Sequence, residues 1–243
     1  MLQTEFIMGM PITIQADAAP EIMATVFSRF RQIDERYSPF RESSEVRKLQ
    51  QQPELKPSRE LASILSNCAK YEQLTDGYFS ARFAGQIDPT GYVKGWAIRQ
   101  AADILDANQI DHYMINAGGD ILATSRTSDW RVGIQDPANR AEIITTIAGQ
   151  RFAITTSGTY ERGLHIINPL THQPADELLS VSVVGPDIIE ADVFATTLFA
   201  MGLQRGLSFI ERQPAYAALF VTKTGQVSAS NNLDLGAKKQ TVR

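Results

Sequence analysis

The chain has 243 residues, 43% of them hydrophobic and 21% charged, with a formal net charge of −4. That length suits one large domain or two intimate ones, and the mild acidity excludes a general attraction to nucleic acid or anionic membrane. A single cysteine, Cys68, excludes an intrachain disulfide and a cysteine-cluster metal site.

Residues 1–9 contain no basic region leading into an apolar core and no cysteine for a lipid, and no stretch reaches the ~18 apolar residues of a membrane span. The expectation is a cytoplasmic protein without a membrane anchor. Residues 4–15 alternate weakly and read as a strand. Residues 20–37 read as a helix that starts at Pro20 and places Ile22, Val26, Phe30 and Ile33 on one face. A polar loop over 41–57 holds a short helix at 45–51. Ser58 caps a further helix with the stripe Leu61, Ile64, Leu65, Cys68, Tyr71 and Leu74, which stops at Asp76-Gly77. Cys68 lies on that stripe and reads as a buried structural thiol.

A third helix is predicted from about Val93 to Leu105. Strands follow at 113–116, 120–124, 130–135, 143–147, 151–155, about 164–168 and 178–184. After them come a helix around Asp192, another near 204–212, and a closing hairpin at 216–222 and 226–229 around Thr224-Gly225. Strands clustered in the middle without βαβ alternation indicate an α+β fold.

The helix at Glu190–Gly202 carries the sharpest chemical signal. Asp192 and Thr196 are four residues apart and share a face, among Val193, Phe194, Leu198, Phe199 and Met201. A carboxylate in apolar company is costly unless it is paired, hydrogen-bonded or on a metal. Oxygen donors favour Mg²⁺ or Ca²⁺ over zinc. Spacing alone also allows an acid near the helix N-terminus that favours the dipole, and a threonine bonded back to a carbonyl.

Three other segments carry chemistry or plain turns. Asn116-Ala117-Gly118-Gly119-Asp120 between two strands either lets the backbone approach a ligand or makes an ordinary hairpin. Asp88-Pro89-Thr90-Gly91-Tyr92-Val93-Lys94-Gly95 leads into the third helix. A lysine in a first turn opposes the dipole, unless an anion shared with the helix N-terminus accounts for it. Thr155-Thr156-Ser157-Gly158 lines a phosphate, binds a sugar or makes a polar turn, and His165 follows in a short strand. No Gly-x-Gly-x-x-Gly, Walker loop, Gly-x-Ser-x-Gly elbow or His-Glu-x-x-His is present. A metal held by oxygens alone usually serves phosphate chemistry.

In this order, the segments resemble the ApbE family of flavin transferases. The resemblance runs from Met8-Gly9 through Asp34, the 38–46 segment with Ser43-Ser44-Glu45, and Thr75-Asp76-Gly77-Tyr78-Phe79. It continues through Asp88, Gly91, Lys94 and Gly95, then Asn116–Ile121, Trp130–Ile134 with Asp136-Pro137, and Thr156-Ser157-Gly158 with Tyr160-Glu161-Arg162. His165–Pro169 and Ala191–Thr196 complete it. It implies one flavin-transferase unit over residues 1–243, with two lobes around the FAD site as a further expectation. The implied activity is Mg²⁺-dependent transfer of the FMN half of FAD to a Thr or Ser hydroxyl of a target flavoprotein, with release of AMP. Hydrolysis of FAD to FMN and AMP is the nearest alternative, and non-catalytic FAD binding is another.

The resemblance also implies roles for single residues. Asp192, Thr196 and the Gly91 carbonyl hold the metal, and His165 acts with Asp192 in catalysis. Asn116, Gly118, Gly119, Asp120, Lys94, Thr156 and Ser157 bind FAD, chiefly its adenosine diphosphate part, and Met8 and Phe40 pack on its flavin or adenine rings. Residues 80–87 are short where the family commonly has a long insertion, Met10 and Ser80 replace family residues, and Phe40 stands where a tyrosine is usual.

Overall fold

A computed structural model of the chain describes residues 1–83, 85–159 and 166–233. The chain opens on a hairpin of β1 (Leu2–Ile7) and β2 (Met10–Ala16), where the weak alternation of residues 4–15 predicts one strand. Met8 and Gly9 form the turn with φ of 56° and 74°. Two positive φ values in a two-residue loop match the twist of the flanking strands. Methionine is not a residue that announces such a turn, so the break is hidden in the sequence.

Helices α1 (Pro20–Tyr37), α2 (Glu45–Gln51) and α3 (Arg59–Leu74) follow, α1 and α3 as periodicity predicts and α2 as the short helix expected in the polar loop. Ser44 and Ser58 accept from the N–H of Arg47 and Leu61, so each caps its helix with a hydroxyl. Two very short strands, β3 (Arg82–Phe83) and β4 (Gln86–Ile87), lead into α4 (Thr90–Ala107). This helix begins three residues before the predicted Val93, because Pro89 sits at its N-cap and Thr90 opens it. Lys94 therefore lies beyond the first turn, not within it.

Strands β5 (Tyr113–Ala117), β6 (Asp120–Thr124), β7 (Trp130–Gln135), β8 (Ile143–Gly149), β9 (Arg151–Gly158) and β10 (Leu178–Gly185) come next. They are followed by α5 (Ile188–Met201), α6 (Leu203–Ile210), β11 (Ala217–Thr222) and β12 (Val227–Ala229). The strand predicted near 164–168 is represented among the described residues by one bridge, Ile167 to Pro174. Its N-terminal part, with His165, lies outside them.

One antiparallel sheet of eight strands, in the order β1-β2-β5-β6-β9-β10-β11-β12, organises the described residues. Alternation splits its side chains between two cores. Ile12, Ile14, Ile115, Leu122, Ala153, Val181, Val183 and Phe220 belong to the core shared with the helices. Ala123, Phe152, Ile154 and Leu219 face the other way, against Val132 and Ile134 of the separate β7–β8 hairpin. This mixed architecture bears out the α+β reading. Helix α5 is apolar on every side and buried from Ala191 to Ala195, in contact with α4, α6, β9 and β10. No helix of the described residues is long and apolar enough to cross a membrane.

Candidate active site

Helix α5 is fixed at its start before its functional residues come into play. Asp187, not Asp192, is the N-cap and accepts from the N–H of Ile189 and Glu190 at 2.9 and 3.0 Å. The same carboxylate takes Arg99 of α4 at 2.8 Å. Asp192 consequently lies in the second turn, so the dipole explanation weakens within the distance over which that effect decays. Thr197 bonds back to Val193 O at 2.7 Å. Thr196 instead places Oγ1 3.3 Å from Ser157 Oγ of β9.

Asp192 is 1% exposed and its partners come from distant segments. Oδ2 accepts the Gly95 N–H of α4 at 3.0 Å, and Oδ1 lies 3.1 Å from Lys94 Nζ. Lys94 Nζ also lies 2.6 Å from Asp120 Oδ2, an ion pair whose angles fall short of a regular hydrogen bond. Asp120 Oδ1 in turn accepts the Thr156 N–H at 3.1 Å. One ammonium thus serves two buried carboxylates, each anchored by a backbone N–H from another element.

The electrostatics follow from this arrangement. Burial alone would lower the Lys94 pKa, but the charges of Asp120 and Asp192 outweigh it and raise it. Burial raises the Asp192 carboxyl, and Asp120 adds to the rise, against the opposing pull of Lys94 and the Gly95 N–H. Two carboxylates sharing one cation leave an excess negative charge in a low-dielectric setting. That excess makes the cluster receptive to a further cation.

Gly95 makes the contact possible. A Cβ there would stand 2.9 Å from Ile189 Cα, 3.0 Å from Ile188 O and 3.2 Å from Asp192 Cβ. Only a residue without a side chain lets α5 approach α4 closely enough for its N–H to reach Asp192. Sequence reading placed Gly95 in a motif without a role of its own. Its position inside a helical pattern, the sixth residue of α4, where glycine costs about 1 kcal/mol against alanine, is the signal that could have marked it.

The remaining predicted residues divide into two groups. Thr156 and Ser157 border the carboxylate cluster from β9, and Thr156 Oγ1 pairs with Ser182 Oγ at 2.8 Å. Gly118 and Gly119 make the β5–β6 turn, with φ of 59° and 95°, immediately before Asp120. Asn116 Oδ1 accepts the Gly119 N–H at 2.9 Å and locks that turn. The turn flanks a cleft of about 460 Å³ lined by Gly9, Met10, Pro11, Thr13, Asn116, Gly118, Gly119 and Arg140. Neither Lys94 nor Asp192 lines that cleft.

Met8 sits at the tip of the neighbouring hairpin, half-buried against the main core. Phe40 is 87% exposed in the loop that Asp34 pins through Arg41. Gly91 is the second residue of α4, and the Gly95 N–H given to Asp192 is the natural helical partner of its carbonyl. The bond to Asp192 competes for that donor. His165 lies outside the described residues.

Among the described residues no three His, Cys, Asp or Glu gather as a metal cluster. The oxygen donors gathered in the cluster are the Asp192 and Asp120 carboxylates and the Thr196 and Ser157 hydroxyls, a hard-oxygen set that suits a divalent cation such as Mg²⁺. Lys94 already places a cation on Asp192, so a positive charge is accommodated there.

Fold and site define an α+β protein with a helix-backed antiparallel sheet and an oxygen-rich, one-lysine cluster between sheet and helices. The sequence pattern of the ApbE family matches residues 8–85 and 82–220, and the chain belongs to that family. A FAD:protein FMN transferase of Klebsiella pneumoniae (strain 342) is 29% identical over 172 residues, 66% of this chain and 53% of that protein. One from Vibrio cholerae serotype O1 is 32% identical over 151 residues, 57% of this chain and 45% of that protein. The chain spans about half the length of the curated relatives it matches.

Its fold is that of solved ApbE structures. The Thermotoga maritima MSB8 ApbE protein superposes with a TM-score of 0.84 at 22% identity, over 95% of this chain and 97% of the other. The apo form of the Pseudomonas stutzeri flavinyl transferase ApbE gives 0.82 at 19% identity, over 95% and 94%.

Proposed function

We propose that the chain is one flavin-transferase unit that moves the FMN half of FAD to a Thr or Ser hydroxyl of a target flavoprotein and releases AMP. The observation that carries the reading is the convergence of Asp192, Thr196, Lys94, Asp120 and Ser157 from α4, α5, β6 and β9. The ApbE membership supplies the substrate class.

In this reaction the acceptor oxygen bonds to the flavin-side phosphorus while the bridging P–O bond breaks and AMP departs. Mg²⁺ held by Asp192, Thr196 and the Gly91 carbonyl would neutralise charge on the bridging and leaving oxygens. Lys94, held by Asp120, places an ammonium beside the pyrophosphate. The Gly118-Gly119 turn and the Thr156 and Ser157 hydroxyls border the phosphates, and Met8 and Phe40 pack on the rings of FAD. His165 takes the proton of the attacking hydroxyl, a role that rests on its place in the family motif.

Incubation with FAD, Mg²⁺ and an acceptor flavoprotein tests this. Covalent in-gel flavin fluorescence with stoichiometric AMP is expected. Free FMN in place of a labelled acceptor would replace transfer by hydrolysis, and tight FAD binding without AMP under any metal would sink the enzyme reading. Asp192→Ala should abolish metal-dependent AMP release in a folded protein, and unchanged turnover would remove Asp192 from the metal site. His165→Ala should cut transfer more than FAD binding, whereas equal loss of both would assign it a structural role.

A further inference from the structure

We propose that Lys94 is a placeholder cation, bridging Asp120 and Asp192 while no metal is bound and leaving Asp192 for the pyrophosphate when metal and substrate arrive together. The inference rests on the metal role proposed for Asp192 above.

The two carboxylates and the lysine differ in how they are held. Asp192 and Asp120 keep 2% and 1% of their side chains exposed, and each has one oxygen tied to a backbone N–H, from Gly95 and Thr156. Lys94 reaches them along a flexible four-carbon stem and keeps 29% of its side chain exposed. The acids are therefore the fixed part of the cluster and the ammonium is the movable part. Lys94 takes Asp192 Oδ1, and the other oxygen is already engaged by Gly95. A cation arriving at Asp192 meets the ammonium at the oxygen it needs.

Charge counting gives the direction of the effect. With both acids ionised, two carboxylates and one ammonium leave a single negative charge. A divalent ion alone would reverse it to a single positive charge, with two cations crowded on Asp192. A pyrophosphate bridging sugar or flavin groups brings two negative charges, restores the balance and offers Lys94 a new partner. Metal and diphosphate must then strengthen each other's binding, reciprocally and by the same factor. Lys94 disfavours the metal alone, the two acids disfavour the diphosphate alone, and the pair together satisfies both.

The test measures binding of Mn²⁺ alone and with ADP, in the full chain, by electron paramagnetic resonance of free Mn²⁺, with the Mn²⁺–ADP complex formed without protein subtracted. Wild type is expected to bind Mn²⁺ at least about tenfold tighter with ADP than without. Lys94→Met should bind Mn²⁺ alone at least about tenfold tighter than wild type and lose most of the ADP-dependent gain. Equal affinity of Lys94→Met and wild type for Mn²⁺ alone would overturn the placeholder while leaving the metal site standing. Wild-type affinity in Asp192→Ala would instead overturn the metal assignment, and the placeholder with it.

Removing the lysine leaves two buried acids without a counter-charge and risks the fold, so wild type supplies a second measurement. In crystals soaked with Mn²⁺ and ADP, Lys94 Nζ should lie beyond about 3.5 Å from Asp192 Oδ1 and within reach of phosphate oxygen. Mn²⁺ on Asp192 with Nζ still in contact would overturn the proposal.

Discussion

Gly95 shows how one missing side chain decides the position of a carboxylate. Alanine at this position would gain helix propensity of about 1 kcal/mol. It would also drive a methyl group into the α5 backbone at Ile188 and Ile189, which has no side-chain freedom with which to yield. Overpacking of this kind costs typically 1–3 kcal/mol, so Gly95→Ala should lower the chemical denaturation midpoint, and its AMP release should fall at least about tenfold as the N–H retreats from Asp192. A variant more stable than wild type would mean that propensity outweighs the contact. The i and i+4 spacing of Asp192 and Thr196 was readable from the sequence because it is a property of one helix. Their partners were not, since Gly95 stands 97 residues from Asp192 and Thr156 stands 36 from Asp120. Local pattern carries no information about which distant N–H will meet a carboxylate.

At the scale of elements, legibility followed the strength of periodicity and capping. Helices α1 and α3 are readable because each has an amphipathic stripe and a Pro or Ser at its start, whereas α2 shows only as a short helix within a polar loop. The opening hairpin is hidden because its turn is Met8-Gly9, and the start of α4 is hidden because Pro89 and Gly91 look like loop residues. Ser58 is the clearest test of capping. Its Oγ accepts from Leu61 N at 3.3 Å and donates to Glu45 Oε2 at 2.8 Å, so it joins α2 to α3 as well as ending a helix. Ser58→Ala should cost about 1–2 kcal/mol, measured by urea unfolding. A loss below a few tenths would leave both bonds without net weight.

At the scale of the molecule, a charged seam ties the helices that back the sheet. Glu60 of α3 accepts from Arg29 at 2.6 Å, Arg36 at 2.6 Å and Tyr37 Oη, all three of α1. Burial by itself would raise the Glu60 carboxyl, but the Tyr37 and Arg29 hydrogen bonds and the two guanidinium charges outweigh it and hold it below the usual range. A depressed folded-state pKa stabilises the protein above the unfolded value, and that contribution is lost as pH falls through the folded one. Wild type should therefore lose stability between about pH 5 and pH 3 more steeply than Glu60→Gln, as read from denaturation midpoints across that range. Parallel pH profiles would remove Glu60 from the acid response.

The division of the sheet into two faces has an optical consequence. The chain contains two tryptophans. Trp96 lies on the helical side, 5.9 Å from the Tyr37 ring and beneath the Arg29 guanidinium. Trp130 lies on the other side, stacked 4.6 Å from His112 and bonded through Nε1 to Thr124 O. Its strand pairs with β8 alone, so the outer hairpin can open without unzipping the sheet behind it. Fluorescence from Trp130, isolated in a Trp96→Phe variant, should shift at lower denaturant than fluorescence from Trp96 in Trp130→Phe. The protein thus carries its own pair of reporters, one for the helical face of the sheet and one for the outer hairpin.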